Sequence, residues 1–129
     1  MKKLIASFAA LILLAGCSST GSATTVDLNV SEFSQKINEP DVIILDVRTP
    51  EEFASGHIEG ALNIDFNGGD FANEITRLNP SDNYAIYCRS GSRSGQAASI
   101  MHKAGFHDVS NLNGGVIDWT NAGLPLVLN

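Results

Sequence analysis

Cys88-Arg89-Ser90-Gly91-Ser92-Arg93-Ser94 holds the strongest chemical signal in the chain. A thiol follows an apolar run, Tyr84 to Tyr87, and precedes a stretch that predicts a helix over Gly95 to Ala104. That order sets the sulfur at a strand end, in a loop of small residues, beneath the positive end of a helix. Backbone N–H groups in such a loop converge and favour an anion. Arg89 and Arg93 add two guanidinium groups at the same place. Each effect lowers a thiol pKa, so Cys88 is expected as a thiolate nucleophile rather than an inert structural cysteine.

The elements that must position this loop follow from periodicity and capping signals. Val26 to Asn29 can form a short strand, and Ser31 can cap a helix running to Asn38 with Phe33 and Ile37 on one face. Val42 to Leu45 is a continuous β-branched apolar run, suited to a strand covered on both faces. Thr49-Pro50-Glu51-Glu52 starts a brief helix, with Thr as N-cap, Pro at N1 and Glu at N3, and Gly56 ends it. Ala61 to Ile64 reads as a strand. Asp70 caps a helix whose Phe71, Ile75 and Leu78 share a face until Pro80. Beyond the cysteine loop, Ala97, Ile100, Met101 and Ala104 form an apolar stripe closed by Gly105. A strand at Val109 to Leu112 and the Gly114-Gly115 turn lead to a last helix, Val116 to Ala122. Strands alternating with helices predict an α/β fold: one domain with a mainly parallel sheet of about five strands and helices on both faces. Sites in such folds lie off the C-terminal ends of the strands, where Cys88 falls.

The N-terminus carries a separate signal. Met1-Lys2-Lys3 is basic, and Leu4 to Leu14 is apolar but far shorter than the ~20 residues that span a bilayer. Leu14-Ala15-Gly16-Cys17 resembles the bacterial lipoprotein box. By that resemblance residues 1–16 are a signal peptide, Cys17 is lipidated, residues 17–25 form a flexible tether, and residues 26–129 are the folded domain. By resemblance to Gram-negative lipoproteins, where an Asp at position 18 would favour inner-membrane retention, Ser18 points to the outer membrane if the cell is Gram-negative. The expected location is therefore the cell envelope, on the periplasmic side and anchored by lipid. Removing Lys2 and Lys3 would take the formal net charge from −6 to −8. That acidity argues against nucleic acid and against a polybasic membrane-binding face. Cys17 and Cys88 are the only cysteines, so with Cys17 lipidated no disulfide framework forms, and no zinc-ligand spacing exists.

Three blocks, taken together, resemble the rhodanese (thiosulfate sulfurtransferase-like) family. The first is Leu45-Asp46-Val47-Arg48, then Glu52-Phe53, then Gly56-His57-Ile58-Glu59-Gly60-Ala61-Leu62-Asn63-Ile64. The second is the cysteine loop. The third is Asn111-Leu112-Asn113-Gly114-Gly115-Val116 with Trp119 and Ala122-Gly123-Leu124-Pro125. The resemblance implies that Cys88 takes the outer sulfur of a small anionic donor such as thiosulfate and holds it as a persulfide. A thiol, or cyanide in an assay, then accepts it. Amides from Arg89, Ser90, Gly91, Ser92, Arg93 and Ser94 would stabilise the persulfide. Arg93 would pair with the anion or brace the loop, and Arg89 would attract the donor. Asp46 and Arg48 would support the loop by charge pairing. This covalent mechanism needs no metal or cofactor, and a monomer suffices. His57 falls in a block that reads as architectural, and His102 and His107 as helix-surface and helix-end residues. Trp119 is expected in the core.

Two other functions compete. A cysteine phosphatase or arsenate reductase also uses a thiolate in an anion-binding loop, but tyrosine-phosphatase-like loops follow Cys-x5-Arg. Here Arg93 comes one residue sooner, and the shorter loop encloses a space suited to one sulfur atom. A non-catalytic sulfur-binding or redox-sensing module is the other alternative, against which the retained cysteine and complete loop argue.

Overall fold

The computed structural model describes residues 25–129. The expected signal peptide, the lipidation site Cys17 and nearly all of the tether lie outside the described residues. The elements run β1 (Val26–Leu28), α1 (Val30–Lys36), β2 (Val42–Asp46), α2 (Pro50–Ala54) and β3 (Leu62–Asn63). They continue with α3 (Phe71–Glu74) and a 3-10 turn at Ile75–Arg77, then β4 (Asn83–Tyr87), α4 (Ser92–Lys103), β5 (Asp108–Leu112) and α5 (Gly115–Asn121). All strands pair in parallel in the order β1-β5-β4-β2-β3, as the alternation of strands and helices requires.

Alternation along the central strands divides the core. On β4, Tyr84 and Ile86 face the side covered by α3 and α4, where Leu45, Phe71, Ile75, Ala97, Met101, Phe106 and Val109 also pack. Ala85 and Tyr87 face the opposite side with Phe33 of α1, Leu112 and Trp119 of α5. Each large apolar side chain sealed in these layers contributes ~1.5–3 kcal/mol. Cys88 continues the Tyr84, Ile86 series with the period of two of a strand. Its side chain is thereby sent to the α4 side, beneath that helix's first turn.

Several boundaries differ from the sequence expectation; the helix expected from Asp70 toward Pro80, for one, is the four-residue α3 followed by the 3-10 turn. Helix α1 begins at Val30, capped by Asn29 instead of Ser31. Asn29 and Glu32 form a reciprocal capping box at 2.8 and 2.9 Å, whereas Ser31 has Ser34 at the corresponding position and nothing to reciprocate. Helix α4 begins at Ser92, three residues before Gly95, so the second half of the cysteine loop is itself the first turn of a helix. Strand β3 shrinks to two residues because it pairs only with the end of β2, through Leu45↔Leu62 and Asp46↔Asn63. The Thr49 capping box of α2 forms as its sequence predicts.

Candidate active site

Cys88 is 1% exposed, at the floor of the loop between β4 and α4. Its Sγ accepts a hydrogen bond from the Gly91 amide at 3.1 Å and another from the Ser94 hydroxyl at 3.3 Å. The first requires glycine: Gly91 has φ +100°, a region that turns its N–H inward and that side-chain-bearing residues rarely adopt. The second follows from the early start of α4. Ser94 lies in its first turn, buried, with its hydroxyl aimed at the sulfur.

These donors decide the ionisation of Cys88. Burial pushes the thiol pKa up, but the Ser94 hydroxyl and the amides of Ser94, Gly91 and Ser90 pull it down, and the net shift is below the ordinary thiol value. The anion is held by hydrogen bonds made at its own atom more than by guanidinium charge. The distribution of the arginines agrees. Arg89 is exposed with Ser90 and Ser92, and among the described residues no carboxylate pairs with it. Arg93 forms a two-pronged ion pair with Glu52, Nη1 to Oε1 at 2.7 Å and Nη2 to Oε2 at 3.0 Å. The sequence set two guanidinium groups beside the sulfur and left Arg93 either to pair with an anion or to brace the loop; in the structure Arg93 has a carboxylate partner in Glu52.

Glu52 does two jobs. Its Oε1 accepts from the Thr49 amide and hydroxyl, closing the cap of α2, while both oxygens hold Arg93. The Arg93 hydrogen bond, opposed by burial and helped by Thr49, lowers its pKa to about 2. The sequence marks Glu52 as a helix-start residue and gives no sign of its second role, because Arg93 is 41 positions away.

Asp46 and Arg48 come together behind this pair, both buried. Asp46 Oδ1 accepts from the Arg48 backbone amide at 2.9 Å and from its Nε at 3.0 Å, and Arg48 Nη2 also donates to the Gly56 carbonyl at 2.7 Å. The Arg48 guanidinium lies 5.6 Å from the Tyr87 ring centre. Burial lowers its pKa and the Asp46 bond and charge raise it, leaving it above the usual value. Asn63 Nδ2 caps the backbone carbonyls of Asp46 and Arg48 at 3.0 and 2.9 Å. Removing one member of such a buried pair leaves the other charge uncompensated, so the two act as a unit that fixes the ends of α2.

The far side of the loop is gripped by the start of α5. The Val116 amide donates to the Cys88 carbonyl at 3.0 Å and the Ile117 amide to the Arg89 carbonyl at 3.1 Å. Gly115 makes this approach possible, since a Cβ there would stand 2.4 Å from the Arg89 carbonyl carbon and oxygen. Asn111, buried on β5, donates to Asp27 Oδ1 at 3.1 Å and reaches the Gly91 carbonyl at 3.5 Å. Neither Gly115 nor Asn111 stands out as a site residue in the sequence, because both act on the loop from elements far along the chain.

His57 has no part in this cluster. Its ring stacks on Phe53 at 3.7 Å, its Nδ1 meets the Phe53 carbonyl, and its backbone bridges to Val127. Trp119 is buried and donates to the Pro125 carbonyl. His102 is half-buried, with Nδ1 on the Phe106 carbonyl, and His107 is exposed. Among the described residues, no three His, Cys, Asp or Glu side chains converge as metal ligands.

A cysteine held by inward-turned donors can serve as a nucleophile and stabilise an anionic sulfur built upon it. Several known proteins have similar chains. A sulfurtransferase of Allochromatium vinosum is 35% identical over 102 residues, covering 78% of this chain and 94% of that protein. Thiosulfate sulfurtransferase 16 of Arabidopsis thaliana is 41% identical over 91 residues, covering 63% and 76%. The crystal structure of a rhodanese-related protein from Thermoplasma volcanium superposes with a TM-score of 0.72 at 27% identity, covering 81% and 99%. The family model for the rhodanese-like domain matches residues 29–122, a span that holds the cysteine loop, the strand that delivers it and the helices that grip it, and the chain belongs to that family.

Proposed function

We propose that the protein is a sulfurtransferase that carries a sulfane sulfur as a persulfide on Cys88. The observation that carries this reading is the pair of donors on Sγ, the Gly91 amide and the Ser94 hydroxyl, which favour a sulfur anion at the floor of the loop. The Cys88 thiolate attacks the outer sulfur of thiosulfate and forms the new S–S bond. The old S–S bond breaks, and sulfite departs with its electron pair. A thiolate acceptor then attacks the outer persulfide sulfur and releases the Cys88 thiolate, closing a two-stage cycle. The low thiol pKa removes the need for a general base. Phosphate chemistry fits less well, because Arg93, the group that would grip phosphoryl oxygens, is already engaged by Glu52.

Incubation with thiosulfate is expected to add the mass of one sulfur atom to the protein, and Cys88→Ser to abolish the addition. A phosphatase assay on the same protein is the control. Phosphate release without sulfur loading, or loading that survives the substitution, would overturn the reading.

A further inference from the structure

We infer that Asp27, on the edge strand β1, is a positioning residue for the sulfur of Cys88: through Asn111 it holds the Gly91 turn that aims an amide at Sγ. The inference rests on the sulfurtransferase reading of Cys88 and deepens it. Asp27 and Asn111 are register partners in the parallel pair of β1 and β5, so their side chains leave the sheet on the same face. Val109 of β5 packs on the α4 side and Leu112 on the other, which puts Asn111 on the α4 side. Asn111 is 3% exposed. Its Nδ2 donates to Asp27 Oδ1 at 3.1 Å and reaches the Gly91 carbonyl at 3.5 Å. Its Oδ1 is buried with no partner among the described residues. An amide that leaves its oxygen unpaired is oriented by its donors. Of its two acceptors, the Asp27 carboxylate is both closer and charged, so it makes the stronger bond.

Gly91 is where this orientation reaches the chemistry. Its carbonyl receives Asn111 and, at 3.0 Å, the Gly95 amide, while its own N–H donates to Sγ at 3.1 Å. A glycine turns freely, so contacts on its carbonyl help decide where its N–H points. Asp27 itself is exposed, at a strand edge 84 positions from Asn111. A charge there also discourages pairing with other chains, but that role alone would leave Cys88 untouched.

Alkylation of Cys88 by iodoacetamide against pH tests this on the full chain, read by mass on the peptide that carries Cys88. Arg89, Arg93, Glu52, Asp46 and Arg48, the charged groups about the loop, are the same in every variant. Asp27→Val, which suits an edge strand, should raise the midpoint by about half a pH unit and slow alkylation about threefold below it. Asp27→Asn keeps an acceptor for Asn111 and should stay close to wild type. A carboxylate acting only through its charge predicts the opposite, a lower midpoint in both variants. Asn111→Leu removes the donors at similar size and should match Asp27→Val, and combining the two should raise the midpoint no further. A midpoint that stays or falls in Asp27→Val, or a combined rise equal to the sum of the two, overturns the inference. If thiosulfate places no sulfur on wild-type Cys88, the sulfurtransferase reading fails, while the alkylation midpoints still decide whether Asp27 positions the thiolate.

Discussion

Ser94 is the residue on which the chemistry of Cys88 turns most directly. Burial alone would push the thiol up and make it a poor nucleophile, and the Ser94 hydroxyl leads the opposing group of donors. The sign of the pH dependence follows. With the folded-state pKa below the ordinary thiol value, the thiolate survives to lower pH than in an unfolded chain, and alkylation falls only as pH drops through the depressed value. Ser94→Ala is expected to move the midpoint of the alkylation profile to higher pH, read with iodoacetamide on native protein. Superimposable profiles would mean that the loop amides suffice. Cys88 itself was plain in the sequence as the one thiol flanked by glycine, serine and arginine. The source of its low pKa was not, because whether a serine points at a sulfur depends on where its helix begins.

At the scale of elements, the loop is held as if between two jaws. Helix α2 presents Glu52 to Arg93 on one side, and the first turn of α5 presents two amides to the carbonyls of Cys88 and Arg89 on the other. Gly115 marks the tightest point, with φ +59° and no room for a Cβ beside the Arg89 carbonyl. Gly115→Ala is expected to cost ~1–3 kcal/mol through backbone strain. Because the clash falls on the loop itself, sulfur loading should fall further than a thermal melt would suggest. Normal loading in a folded variant would show that the α5 contact is not what places the loop. Several element starts were legible because capping chemistry is local, as at Thr49 and Asp70. Asn29 was equally available through Glu32 three residues on, and the cap at Ser31 lacked that reciprocal partner. The first turn of α4 was hidden for a different reason. Ser92, Arg93 and Ser94 follow a glycine and have mixed helix propensity, so packing against β4 and β5 sets their conformation.

At the largest scale, residues 25–129 form one sheet between two apolar layers, with Cys88 at the edge of one of them. Phe33 anchors the layer opposite Cys88, fully buried and meeting Tyr87 and Trp119 edge-on at 6.4 and 6.3 Å. Phe33→Ala is expected to cost about 3–5 kcal/mol, a large share of a small domain's total of roughly 5–15 kcal/mol. The urea midpoint, read by circular dichroism, should fall accordingly. A midpoint close to wild type would show that this layer is not part of the cooperative unit. The sequence by itself determined the strands and most helices, the thiol loop at a strand end and the family the chain belongs to, because apolar period, capping and turn chemistry operate over a few neighbouring residues. Only the tertiary structure decided which charges are spent and which remain. The strand order sets β2 beside β4, which brings Glu52 to Arg93 across 41 positions and the start of α5 against the loop. Pairings over such distances follow from how the sheet is assembled, and no local pattern encodes them.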